Sequence, residues 1–241
     1  MRSQISVKTH RIYLNTTLLL GEIISISDPE IVNYIKNVLR LKYSEQIRVF
    51  NQACGEYLAE IHFIDRKIIS IKLIDSLIPP QKAKVRLVAG IGILKPPIML
   101  DAINIAVQLG VDVIYPIITE RCQFRDINNA KCHKVIITSA EQCERLNIPE
   151  LMPPTPLNDF LKKYKTIFAA NEHSIGRLNS QLEINEHETI AVLIGPEGGF
   201  SLPESELLSA KHVHSVKLRS NILRSEIALV ALIAQIDMLR A

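Results

Sequence analysis

The chain has 241 residues and a mass of 27.1 kDa, with 47% hydrophobic residues, 22% charged residues and a formal charge of +3. That composition excludes intrinsic disorder and collagen-like or low-complexity architectures, and a charge this small does not by itself mark a polycationic nucleic-acid binder. The longest strongly apolar run, residues 227–236, is broken by Gln235 and flanked by Glu226 and Asp237, well short of the roughly 18–20 residues that span a bilayer.

From Arg11 to Ile78 the chain offers short β-branched or alternating runs at 47–50, 57–61 and 68–73, read as strands with turns at 52–55 and 65–67. The exception is 28–39, where Asp28 caps, Pro29 occupies the first helical position, and Ile31, Tyr34, Ile35 and Val38 follow at helical spacing. Pro79-Pro80 then breaks both patterns, so a small β-rich domain over 1–76 and a larger domain over 77–241 are expected. The second domain alternates apolar strand runs with helical stretches. Strands are expected at 85–93, 113–117, 166–170, 190–194 and 213–218, and helices at about 96–109, 129–144, 202–210 and 222–239. Such alternation predicts an α/β domain with a parallel sheet, whose ligands sit at the carboxyl ends of the strands.

Three constellations carry chemical potential. First, the buried run Thr189–Ile194 enters Gly195-Pro196-Glu197-Gly198-Gly199, and Ser201 and Glu204 follow at capping-box spacing. Three glycines in such a turn let a backbone approach a ligand closely, or else simply make a tight turn. No Gly-Lys-Ser/Thr ending follows, which argues against a P-loop. Second, Leu218–Asn221 ends a strand, Ser220 or Asn221 is placed to cap an apolar helix, and Arg224 and Glu226 carry charge in its first turn. Third, Arg121 follows the strand at 113–117, and Gln142 and Arg145 close the next helix.

The four cysteines, Cys54, Cys122, Cys132 and Cys143, contain no C-x-x-C pair and read as reduced thiols. His212 and His214 have no third ligand nearby, so no metal is expected. The first fourteen residues lack an apolar h-region, and a cytoplasmic location is expected.

Taken together, Val38-Leu39-Arg40, Leu109-Gly110-Val111-Asp112, Thr119-Glu120-Arg121, Glu141–Arg145 with Ile148-Pro149-Glu150, Gly195–Gly199 and Ile222–Glu226 resemble the small-subunit ribosomal RNA uridine-N3 methyltransferase family. The matches keep the family's order over residues 11–228. The resemblance implies a PUA-like β-barrel followed by an α/β domain of the SPOUT superfamily with a C-terminal trefoil knot. It further implies S-adenosylmethionine as cofactor, a homodimer through the C-terminal domain, and methylation of N3 of a uridine in the decoding region of 16S rRNA, within the small ribosomal subunit. The partner is then RNA, with neither DNA nor a membrane.

Carried over residue by residue, the cofactor is expected against Gly195, Pro196, Glu197, Gly198 and Gly199, against Leu218, Asn221, Ile222 and Leu223, and against the strand end Ala169-Ala170. Arg224 and Glu226 are expected to be catalytic, Arg224 stabilising charge on the uracil and Glu226 orienting it or taking the proton. Arg11, Lys36, Arg40 and Lys42, with Arg121 and Arg145, are expected to meet RNA phosphates. Against the family pattern, Ile105 and Gln108 replace Lys and Glu, and Arg219, Asn221 and Ile227 replace Gly, Arg and Thr. Two rival readings keep much of this surface: a methyltransferase of the same superfamily acting on another rRNA or tRNA nucleotide, and a non-catalytic RNA-binding or ribosome-assembly protein that holds no cofactor.

Overall fold

The computed structural model describes residues 9–80, 87–174, 176, 178 and 189–240. The described chain divides into two compact units, 9–80 with Ala140–Asn147, and the remaining residues from 87 onward.

The first unit holds β1 (Arg11–Tyr13), β2 (Ile23–Ile26), α1 (Pro29–Asn33), β3 (Gln46–Asn51), β4 (Gly55–Ile64) and β5 (Ile69–Ile78). They form one five-stranded sheet in the order β1-β3-β4-β5-β2, antiparallel except for β1 on β3. The long strands β4 and β5 shift register at three places along their pairing, which curls the sheet around its core. That core collects Ile12, Ile47, Val49, Ile61 and Ile71, strand residues whose β-branched chains suit a one-sided sheet, together with Ile35 from the helical segment that follows β2.

Asp28 caps α1 as its residue type predicts, its carboxylate accepting from the amides of Glu30 and Ile31 at 2.8 and 3.1 Å. The helix expected to run on to Leu39 instead widens to a π turn over Tyr34–Val38, with Leu39 N–H reaching the Tyr34 carbonyl. Arg40 follows in the left-handed region at φ 55°.

Arg11, expected on an RNA-facing surface, is buried instead. Its Nε donates to Glu56 Oε2 at 3.0 Å, its Nη1 donates to the Ala140 carbonyl at 2.7 Å, and its guanidinium carbon lies 3.4 Å from the centre of the Phe50 ring. Burial pulls its pKa below the ordinary guanidinium value against the opposing pull of Glu56. This also explains a departure from the expected boundary. Ala140–Asn147 groups with the first unit because Arg11 takes the Ala140 carbonyl, Tyr13 N–H donates to Glu141 Oε1 at 2.9 Å, and Arg48 pairs with Glu144.

The second unit holds β6 (Leu87–Gly92), α2 (Pro96–Gln108), β7 (Val113–Ile118), α3 (Asn129–Gln142, whose last turn belongs to the first unit), β8 (Glu150–Leu151), β9 (Thr155–Pro156), α4 (Leu157–Leu161), β10 (Ile167–Ala170), β11 (Ile190–Ile194), α5 (Leu202–Leu207), β12 (Val213–Val216) and α6 (Ser225–Arg240). Its sheet is wholly parallel in the order β12-β10-β11-β6-β7-β8, with β9 beside β7. All of β6 and β11 is buried, as continuous apolar runs in a parallel sheet require. The chain lays β7 and β8 on one side of β6, then places β10, β11 and β12 on the other. This reversal makes the carboxyl ends beside β6 and β11 the natural place for a ligand.

The helix expected from about residue 222 begins at Ser225, so Ser220 and Asn221 lie in the loop before it and cap nothing. The Arg224 carbonyl accepts the Ala228 N–H at 2.8 Å and opens α6. Among the described residues, no helix is long and apolar enough to cross a membrane.

Candidate functional site

The carboxyl ends of β10, β11 and β12 open into a cleft of about 600 Å³, its open mouth included. One wall is the turn after β11, contributing Gly195, Pro196 and Gly199 with Phe200 beneath. A second is the segment Lys217–Leu223 after β12, and a third is Ala170–His173 after β10. Ser225 and Ala228 from the start of α6 close the base.

The turn is held from several directions. Ser201 and Glu204 form the expected capping box at the start of α5, which fixes where the turn ends. Gly199 takes φ 66° while its N–H donates to the Pro196 carbonyl at 2.9 Å, a conformation that glycine reaches without strain. Ser225 Oγ donates to the Gly195 carbonyl at 2.9 Å, tying the first turn of α6 to the loop. Lys95 N–H donates to Glu197 Oε1 at 3.1 Å. At the end of β6, a Cβ on Gly92 would lie 2.5 Å from the Pro196 nitrogen, so the close approach of the two strand ends requires glycine there.

Of the expected cofactor residues, Ala170, Gly195, Pro196, Gly199, Leu218, Asn221, Ile222 and Leu223 line this cleft. Ala169 does not: strand alternation turns it into the core, where it is fully buried. Glu197 and Gly198 lie outside the wall, Glu197 turned to Lys95 and Gly198 backed by Arg121. Arg224 and Glu226 flank the cleft residue Ser225 in the chain without lining the cleft themselves, and are joined by an ion pair of 3.0 Å from Nε to Oε1. The Arg224 side chain is 77% exposed and that of Glu226 only 10%, so a nearly buried carboxylate holds an arginine that projects outward.

Three cleft residues, and Gly92 packed behind the turn, were not singled out by the sequence. Gly92 was legible only as one more small residue in a buried strand, because its constraint comes from Pro196, distant in the chain. Asn171, Glu172 and His173 follow β10 as a polar triplet, and the rule placing ligands at strand carboxyl ends pointed to them. Glu172 and His173 approach to 3.5 Å. Of the substituted family positions, Arg219 and Asn221 line the cleft and Ile227 is exposed on α6.

The expected RNA-facing cations are dispersed. Arg40 and Lys42 are exposed, with Tyr43 beside them, and Lys36 is half-buried. Arg121 is exposed and donates from Nη1 to the Gly198 carbonyl at 3.0 Å. Arg145 is half-buried and already engaged. His214 stacks on Phe168, its cross-strand partner, with ring centres 4.8 Å apart. His212 reaches the Leu161 carbonyl at 2.9 Å.

Comparison with known proteins adds to this geometry. Residues 81–237 match the family described as an RNA methyltransferase domain, and 20–74 match the RNA methyltransferase PUA domain. Ribosomal RNA small subunit methyltransferase E of Rickettsia conorii is 39% identical over 240 residues, 97% of this chain and 97% of that protein. The protein of the same name from Buchnera aphidicola subsp. Schizaphis graminum is 30% identical, over 94% of this chain and 95% of its own. A Neisseria gonorrhoeae ribosomal RNA small subunit methyltransferase E, solved bound to S-adenosyl methionine, superposes with a TM-score of 0.82 at 25% identity, covering 96% of this chain and 98% of that one. A Legionella pneumophila protein solved with the cofactor SAM gives 0.85 at 28% identity with the same coverage.

Proposed function

We propose that this chain, which belongs to the ribosomal RNA small subunit methyltransferase E family, binds S-adenosylmethionine in the cleft over β10, β11 and β12 and methylates N3 of a uridine in the decoding region of 16S rRNA. The observation that carries the reading is the cleft itself: a glycine turn and an apolar floor meet at the carboxyl ends of parallel strands, and the Arg224–Glu226 pair flanks the cleft residue Ser225 in the chain. The donor set suits the cofactor. The irregular backbone of Leu218–Leu223 presents polar edges along one wall, Ile194, Phe200 and Leu223 offer apolar surface, and Glu172 supplies a carboxylate. When bound there, S-adenosylmethionine supplies an electrophilic methyl group. Among the described residues no three His, Cys, Asp or Glu side chains converge to hold a metal, and methyl transfer to a ring nitrogen requires none. The residues therefore act by positioning and proton management. Arg224 projects outward to meet a uracil losing its N3 proton, and Glu226 fixes the guanidinium or receives that proton.

The rest of the reading follows the same surfaces. The first unit is PUA-like and the second SPOUT-like. We assign Arg40 and Lys42 to RNA phosphates, and a trefoil knot to the segment in which the loop 217–224 and α6 close over the Gly195–Gly199 turn. A homodimer is supported by an exposed apolar stripe on α6, Ile227, Val230, Ala234 and Met238, spaced along one helical face. A stable monomer in sedimentation would remove that assignment.

Calorimetric titration with S-adenosylmethionine, followed by incubation with small subunits lacking the modification and mass mapping of new methyl groups, tests the whole. Binding plus one N3-methyluridine in the decoding region is expected; a methyl group elsewhere would move the substrate, and no binding would promote the non-catalytic reading. Gly92→Ala should weaken cofactor binding at least tenfold by pushing Pro196 off its strand end, and unchanged affinity would show that the turn is not the binding element. Arg40→Ala should lower RNA affinity and reduce the salt slope by about one ion, measured over a salt series.

A further inference from the structure

We infer that Arg121 is a positioning residue for the Gly195–Gly199 turn, acting on cofactor binding through the backbone, and not an RNA ligand. The inference deepens the proposed function and rests on the cleft being the S-adenosylmethionine site.

The geometry is local to the end of β7. Thr119–Arg125 loops past the outer side of the turn. Arg125 Nη1 donates back to the Thr119 carbonyl at 2.7 Å, closing the loop on itself. Glu120 N–H donates to Glu204 Oε1 at 2.7 Å, while the other oxygen of Glu204 receives the Ser201 N–H at 2.9 Å. One carboxylate therefore latches this loop to the same capping box that ends the turn. Arg121 adds the second latch, from Nη1 to the Gly198 carbonyl at 3.0 Å. The contact is also steric: a Cβ on Gly198 would meet the Arg121 Cβ at 3.1 Å, so the Arg121 stem packs closely against residue 198.

A trans peptide points its C=O and N–H to opposite sides of one rigid plane. Holding the Gly198 carbonyl on Arg121 therefore sets the direction of the Gly199 N–H, which closes the turn on the Pro196 carbonyl at 2.9 Å. Gly199, at φ 66°, has no side chain to restrict it, and without the brace its peptide plane is free to rotate. Arg121 thereby fixes a wall of the cleft that it does not itself line.

The test uses the full chain with Arg121→Ala, Arg121→Gln and Arg121→Lys. Three readouts are taken: hydrogen–deuterium exchange of the amides at 195–200 without ligand, calorimetry with S-adenosylmethionine, and small-subunit RNA binding over a salt series. The alanine variant should exchange faster at 195–200 and bind cofactor roughly three- to tenfold more weakly, the range for one lost hydrogen bond. Its RNA salt slope should stay unchanged. Lysine, which keeps both the stem and a charged donor, should recover most of the loss, whereas glutamine, which keeps the stem but ends short of the Gly198 carbonyl, should recover little; equal recovery by both would reduce the role to packing. If the alanine variant does not fold, glutamine, which keeps the stem beneath Gly198, takes its place. Unchanged exchange and unchanged cofactor affinity would overturn the inference, as would a reduced RNA salt slope with cofactor binding intact. Should the unmutated chain fail to bind S-adenosylmethionine, the proposed function falls, and the exchange comparison alone still decides whether Arg121 braces the turn.

Discussion

Arg11→Met is expected to destabilise the first unit by about 3 kcal/mol while leaving RNA affinity of the folded protein unchanged. The side chains of Arg11 and Glu56 are 2% and 1% exposed, so neither charge has water to fall back on. Removing one partner of such a pair exposes the other to the full cost of burial, and that asymmetry exceeds what the pair contributes when intact. Methionine keeps an apolar stem against Phe50, so the loss reports the charge and the donors rather than a cavity. Arg48 moderates the loss because its Nη1 lies 3.3 Å from Glu56 Oε1, although without hydrogen-bond geometry. Adding Glu56→Leu to Arg11→Met should return most of the stability, since two apolar groups then replace two buried charges. Urea unfolding of the single and double variants measures both steps. A single variant as stable as the parent, with weakened RNA binding, would restore Arg11 to the nucleic-acid surface.

That misplacement of Arg11 shows where sequence information stops. Continuous apolar runs such as Ile190–Ile194 were legible because a parallel strand buried on both faces has nothing else to be. The starts of α1 and α5 were legible because Asp28 and Ser201 cap with their own neighbours in sequence. Charges depend instead on distant partners. Arg11 finds Glu56 at a separation of 45 residues and Arg121 finds Gly198 at 77, and nothing local distinguishes either from a solvated arginine. Short elements were lost for a related reason: β8 and β9 have two residues each and exist only as partners of β7. Within the cleft, Gly195, Pro196 and Gly199 were visible as turn chemistry, whereas Gly92, behind the turn, is constrained by a backbone met only after folding. The start of α6 was set three residues early because Ser220 and Asn221 look like caps, while the chain stays irregular through Leu223 to build the second cleft wall.

The irregular approach to α6 matters most for Arg224, and Arg224→Ala should lower turnover by about a hundredfold with S-adenosylmethionine affinity within twofold of the parent. Had the helix begun at 222, Arg224 would lie within its first turn; beginning at Ser225, it leaves Arg224 outside, between Leu223 and Ser225, which line the cleft. Its guanidinium is mostly in solvent in the free protein, so its worth as an electrostatic stabiliser depends on RNA closing over the rim and lowering the local dielectric. Removing it should therefore cost little stability and little cofactor binding, and under the proposed uridine-N3 reaction should act on the step in which the uracil loses its N3 proton. Glu226→Gln separates the two roles open to the carboxylate. Glutamine still accepts from Arg224 through its carbonyl, so if Glu226 only orients the arginine, turnover should fall by less than about tenfold and keep its pH dependence. If Glu226 takes the proton, the variant should lose turnover as severely as Arg224→Ala, with recovery as pH rises and the uracil ionises unaided. Single-turnover rates over a pH series on modification-free small subunits read both variants, and an Arg224→Ala enzyme of normal turnover would remove the arginine from the chemistry altogether.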